Sequence, residues 1–166
     1  LDAGTAPVVL IGGGIGITPM LSMLNWSLKQ QPDREIWLFY GVRNRREAAM
    51  REHLESQARR HANFHLHFCH SDPLPDEAAG SDYHHAGRVN IDLLRMQIPL
   101  KPYHFYICGP TPMMASLVAG LEDWGVPDSR IHFEAFGPAS VPRRKPAGTI
   151  DATIADSSDR VVTFAK

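Results

Sequence analysis

The sequence predicts a doubly wound α/β domain: a five-stranded parallel sheet with helices on both faces, followed by a C-terminal β-hairpin. Three observations carry this expectation. Apolar runs of strand length alternate with helical patterns as far as Phe136, two of those strands run directly into glycine and a Thr-Pro pair, and the composition changes after Pro138. Alternation of this kind suits a parallel sheet, because each crossover must carry the chain back along the sheet before the next strand can begin.

Residues 8–11 (VVLI) form an uninterrupted apolar run, as expected of a strand covered on both faces. Glycines 12, 13, 14 and 16 follow, and Thr18 with Pro19 reads as the cap and first residue of a helix over 19–30. A second strand is expected over 35–40 and a charged amphipathic helix over 45–61, whose Glu/Arg pairs make a solvated face. The third strand, 64–69, leads into a long loop, 72–87, rich in Asp, Pro, Gly and His. Next come a helix over 91–97, a strand over 104–108, a second cap at Thr111 with Pro112, a helix over 112–124 and a last strand over 131–136.

Composition excludes several classes of function. Lys plus Arg is 17 against 18 for Asp plus Glu, so no global charge draws the chain to nucleic acid or an anionic membrane. No segment reaches the roughly 20 apolar residues of a membrane-crossing helix. The cysteines, Cys69 and Cys108, number only 2 and make no disulfide framework, which fits a reducing cytoplasm. The first residue is Leu1 rather than Met, as expected of a piece of a larger protein.

The glycine stretch IGGGIGITPM breaks the spacing of the common dinucleotide fingerprint, since G-x-G-x-x-G laid from Gly12 meets Ile17 where glycine or alanine belongs. The physical elements of an anion site are still present. Glycine admits positive φ and close approach of backbone N–H groups, and a helix N-terminus favours negative charge. CGPTPMM at 108–114 repeats the arrangement. If the two strands are neighbours where the strand order reverses, both helix starts face one crevice, which suits a pyrophosphate and the ring beyond it.

GGGIGITPM, YGVRN at 40–44, YICGPTPMM at 106–114 and HFEAFGP at 132–138 occur in the order seen in the ferredoxin–NADP reductase family. Over residues 7–138 the chain resembles the pyridine-nucleotide domain of that family, including its flavohaemoglobin and aromatic-oxygenase reductase branches. The resemblance implies that Gly13, Gly14, Ile15, Gly16, Ile17 and Thr18 cradle the pyrophosphate and approach the nicotinamide. It places Cys108, Gly109, Pro110 and Met113 around the ring, with Cys108 near the carbon that gives up hydride. Glu134 falls near the reacting rings and Phe136 borders the flavin. Cys108, Glu134 and Thr18 are thus the expected catalytic residues, in a reaction that asks only for two rings held about 3–3.5 Å apart with water excluded.

Coenzyme choice is read from CHSDP at 69–73. NADPH-using relatives tend to carry Ser then Arg there, whereas this chain has Ser71 and Asp72, whose carboxylate accepts from ribose hydroxyls and repels a 2′-phosphate; NADH is favoured over NADPH. Arg43 and Arg45 are expected near the adenine side. Among 9 histidines, His65 and His67 share a strand face, but no completing ligand set is evident and Cys69 is assigned to the opposite face, so no metal site is expected.

Residues 139–148 read as a Pro/Gly-rich basic linker, and 149–166 resemble the first hairpin of a plant-type two-iron ferredoxin domain. The domain itself is taken as 1–138. The expectation is therefore a fragment of an NADH-dependent flavin reductase that passes hydride to FAD or FMN and single electrons to a 2Fe-2S centre. The reductase part of a flavohaemoglobin, or a nucleotide-sensing module, are the alternatives. Its expected partners are the flavin-binding and ferredoxin-like domains of the same chain and a downstream electron acceptor. The flavin barrel's Arg-x-Tyr-Ser type motif does not occur here. The purified chain should therefore be colourless and lack diaphorase activity; a stoichiometric yellow flavin retained through purification would overturn this.

Overall fold

The computed structural model describes Leu1 and residues 4–134. Phe136, the linker 139–148 and the hairpin expected over 149–166 lie outside the described residues. The strands are β1 (Val8–Gly13), β2 (Ile36–Val42), β3 (Phe64–His70), β4 (His85–Ala86), β5 (His104–Cys108) and β6 (Ile131–Glu134). Four helices join them: α1 (Ile17–Gln30), α2 (Arg51–Arg60), α3 (Ile91–Gln97) and α4 (Thr111–Asp123).

All six strands are parallel, in the order β4-β3-β2-β1-β5-β6. The chain builds outward from β1 in one direction through β4, then returns to start β5 on the other side of β1. The order therefore reverses between β1 and β5, which is the condition for both glycine turns to face one crevice. Strand alternation sorts the core into two layers. Val9 and Ile11 of β1 join Leu93, Leu94, Met114 and Leu117 on the α3/α4 face. Val8 and Leu10 join Met20, Leu24, Leu54 and Phe68 on the α1/α2 face.

Four expectations need correction. The sheet has six strands rather than five: β4 is a two-residue strand inside the long loop, paired to Cys69 and His70, too short to leave any periodic signal. The helix expected over 45–61 is broken. Residues Arg45–Glu47 form a 3-10 turn, whose Arg46 N–H donates to the Asn44 side chain at 3.2 Å, and Met50 takes φ 58 before α2 begins. Local hydrogen bonding by Asn44 thus outcompetes helix propensity at that end. Cys69 shares the face of His65 and His67, as strand alternation dictates, and packs with Trp37 and Phe39.

Thr18 and Thr111 are not caps. The cap positions fall on Gly16 and Pro110, neither helix has a side-chain cap, and the Thr18 hydroxyl donates to the Ile15 carbonyl at 3.0 Å. Each Thr-Pro pair sits inside the first helical turn, where proline is tolerated because its missing N–H would lack an intrahelical partner anyway.

Two glycines join the β1–α1 and β5–α4 turns. A β-carbon on Gly16 would collide with the Cys108 carbonyl, and one on Gly109 would lie 3.1 Å from the Cα and N of Gly13. Gly16→Ala is accordingly expected to cost roughly 1–3 kcal/mol, since the obstructing atom is backbone and cannot swing aside. Thr111→Ala should change stability by less than about 0.5 kcal/mol, because no cap is lost. Thermal denaturation of the two variants checks both values.

Candidate functional site

At the carboxyl ends of β1, β2 and β3 lies a cleft of about 560 Å³. Its floor is made by Gly13, Gly14, Gly41 and Val42, and one wall by Pro110, Pro112, Met113 and Ser116 from the start of α4. The opposite rim carries Arg43, Glu47 and Ser71, and the approach to α3 adds Arg88, Val89 and Asn90. Gly14 has φ +53, and a β-carbon there would meet nothing within 4 Å. Its backbone is thus open to whatever enters the cleft, in a conformation that glycine adopts without strain.

Cys108 and Glu134 line a second cavity, of about 290 Å³, together with Pro19, Met20, Met23 and His132. Cys108 is fully buried; desolvation and then the neighbouring Glu134 charge push its thiol up, so it stays protonated. The Gly13–Gly109 contact forms the saddle between cleft and cavity.

The expected site residues divide accordingly. Gly13, Gly14, Arg43, Ser71, Pro110 and Met113 line the cleft, while Cys108 and Glu134 line the cavity. Gly16, Ile17 and Gly109 are buried in the turns, Ile15 is 70% exposed, and Thr18 spends its hydroxyl on its own turn. Asp72 is exposed and does not line the cleft; its backbone N–H donates to the Arg43 carbonyl at 2.8 Å.

Arg45, expected beside adenine, instead ties down the long loop: its guanidinium reaches Asp76 at 2.5 Å and Asp82 at 3.5 Å, and its N–H donates to Glu77 at 2.8 Å. Glu77 in turn meets His70 Nδ1 at 2.7 Å with both side chains fully buried. Burial alone would raise the Glu77 carboxyl; the bonds from Arg45 and His70 outweigh it and hold it below the ordinary value. Sequence reasoning missed Glu47, Arg88 and Asn90. The last had a signal, being the Asn before a helix, and its side chain accepts from the Leu93 N–H at 2.9 Å.

A family profile described as an oxidoreductase NAD-binding domain matches residues 10–119. The chain belongs to this family. It resembles the pyridine-nucleotide domain of ferredoxin–NADP reductases on the flavohaemoglobin-like branch. The flavohemoprotein of Rhizobium meliloti (strain 1021) is 40% identical over 136 residues, which is 82% of this chain and 34% of the relative. The chain thus spans about a third of the length of that relative. Among solved structures, the Flavohem-like FAD/NAD-binding domain of nitric oxide dioxygenase from Vibrio cholerae O1 biovar El Tor aligns with a TM-score of 0.69 and 27% identity, over 83% of this chain and 54% of that one. The flavohemoglobin of Malassezia yamatoensis with bound FAD and heme aligns with a TM-score of 0.67 and 27% identity, over 82% of this chain and 33% of that one.

The histidines of the sheet edge serve packing. His65 stacks on Trp37 at 4.2 Å and His67 on Phe39 at 4.8 Å, while His67 Nδ1 and His85 Nε2 share a hydrogen bond of 2.8 Å. No group of three or more potential metal ligands occurs among the described residues. Burial, and then the charges of His85, His84 and His65, push His67 down to about 4. A base depressed on folding contributes stability while both states are neutral, and the contribution is lost as the unfolded chain takes up a proton first. The loss from His67 should therefore run from about pH 6.5 down to about 4 and stop there. His67→Gln should make the thermal midpoint fall less steeply across that window, without flattening it, because His84 and His85 are depressed too.

Proposed function

We propose that this chain holds NADH so that its nicotinamide meets a flavin, FAD or FMN, carried by another domain of the same protein, and that electrons pass onward singly to a metal cofactor. One observation carries the reading. The two strand-to-helix turns meet at the point where strand order reverses, with unobstructed backbone at Gly14 facing the cleft on one side of the contact and the Cys108–Glu134 cavity on the other. The residues fit the group: Gly14 leaves room where any side chain would obstruct a pyrophosphate, and Arg88 supplies positive charge at the approach to α3, while the Arg43 charge is paired with Glu47.

The protein's part is to bind, orient and exclude water. Gly13 and Gly14 bring backbone against the phosphates, while Pro110 and Met113 wall the path toward the second cavity. Met20, Met23 and Cys108 give that cavity an apolar lining that keeps water from the reacting carbon, and the neutral Cys108 thiol adds no competing charge. The flavin, when bound, supplies the chemistry that accepts hydride as a pair of electrons and releases them one at a time.

Similarity to flavohaemoproteins supports haem as the onward acceptor. The alternative, a 2Fe-2S centre, rests on the ferredoxin-like pattern of residues 149–166. The free Cys69 and Cys108 favour a reducing, cytoplasmic setting. Among the described residues no helix is long and apolar enough to cross a membrane.

Calorimetric titration tests the coenzyme reading. NADH is expected to bind the chain more tightly than NADPH, and Gly14→Val to weaken NADH at least tenfold, because its branched side chain projects into the cleft from a backbone at φ +53. Undiminished binding by a folded Gly14→Val protein would remove this loop from the site.

A further inference from the structure

We propose that Glu47, not Asp72, is the residue that turns the cleft away from a ribose 2′-phosphate, by acting as a built-in counter-ion that occupies Arg43. The inference rests on the reading that this cleft takes a nicotinamide dinucleotide, and it assigns the specificity of that site.

Arg43 and Glu47 both line the cleft, on the rim that continues from the carboxyl end of β2. Asp72 does not line it; its charge also acts on Arg43, but more weakly than that of Glu47. The pairing is multiple: Arg43 Nε donates to Glu47 Oε1 at 2.6 Å, Arg43 Nη2 meets the same oxygen, and the Arg43 backbone N–H points to Oε2 at 3.4 Å. A carboxylate thus fills the planar donor fork that would otherwise suit a phosphomonoester.

The backbone that carries Glu47 is held in place, while the Arg43 side chain is 72% exposed. Glu47 closes the Arg45–Glu47 turn, its N–H donating to the Asn44 carbonyl at 3.1 Å, while the Tyr40 hydroxyl donates to the Glu47 carbonyl at 3.4 Å. These bonds place the carboxylate four residues beyond Arg43 without a helix between them. The Arg43 hydrogen bond holds the Glu47 carboxyl below its ordinary value, so the carboxylate is ionised throughout the neutral range.

Charge accounting gives the direction. Arg88, which also lines the cleft, has no ion-pair partner among the described residues. It remains available to an anion, whereas Arg43 is neutralised. A dinucleotide without a 2′-phosphate needs no second cation at this rim. One with a 2′-phosphate must either displace Glu47 from Arg43 or sit beside an ionised carboxylate, and both are unfavourable. Removing the Glu47 charge frees the guanidinium and removes the repulsion in one step.

The test is a set of titrations of the 166-residue chain with NADH, NADPH, adenosine 2′-phosphate and adenosine 5′-phosphate, at low and high salt. Glu47→Gln should shift the ratio of NADPH to NADH affinity toward NADPH by roughly tenfold or more, the worth of one charge-assisted bond, and the gain should shrink at high salt. Adenosine 2′-phosphate should gain relative to the 5′-phosphate. Adding Arg43→Gln to Glu47→Gln should cut the gain to the smaller part that comes from removing the repulsion. Arg43→Gln alone, which leaves Glu47 unpaired at the rim, should move the ratio the other way and serves as the reading should Glu47→Gln fail to fold. The proposal is overturned if NADH binds but the ratio stays put in Glu47→Gln, if the gain survives loss of Arg43 undiminished, or if Asp72→Asn moves the ratio as far. Failure of the parent chain to bind either dinucleotide would instead remove the nucleotide reading on which the proposal stands.

Discussion

The rest of the molecule depends on how closely two backbone turns approach each other. Gly16 packs against the Cys108 carbonyl and Gly109 against Gly13, so the start of α1 and the start of α4 are held side by side where the strand order reverses and the two helices diverge to opposite faces. A methyl group at Gly16 would wedge this contact from within. With the contact intact, α1 covers one face of the sheet and α4 the other, and a cleft and a cavity open on either side of the same saddle.

This arrangement gives the four glycines of the opening turn separate duties. Gly12 and Gly13 end β1, paired to Tyr40 and Gly41 of the neighbouring strand. Gly16 is there for packing, and Gly14 alone combines a left-handed backbone with open space beyond it. A loop that departs from the common G-x-G-x-x-G spacing still offers backbone to an anion, because what matters is one unobstructed residue near a helix start rather than a fixed glycine count.

Electrostatics at the rim follow a similar economy. Arg43 and Arg45 are two residues apart, yet one is neutralised by Glu47 at the cleft and the other by Asp76 and Asp82 in the long loop, where Glu77 also accepts from the Arg45 backbone N–H. The buried His70–Glu77 contact anchors that loop, and β4 then pairs with β3 to complete the sheet edge beside the cleft. A basic pair that looks equivalent along the chain thus serves two different elements.

Much of this was legible in the sequence. The parallel α/β class, the exact extents of α3 and β5 and the two glycine turns follow from periodicity and turn chemistry, which act over a few residues and leave a local pattern, whereas the meeting of the two turns was conditional on a strand order that the structure supplies. Family membership was legible for the same reason, through short motifs in a set order. The tertiary structure alone decided which glycines pack and which one faces the cleft, that Thr18 and Thr111 cap nothing, that β4 exists, and that Glu47 rather than Asp72 lines the rim beside Arg43. Each of these depends on atoms from a different element arriving within a few ångströms, or on a turn that breaks an expected helix, and neither distance nor competition of that kind is written in the spacing of residues along one segment.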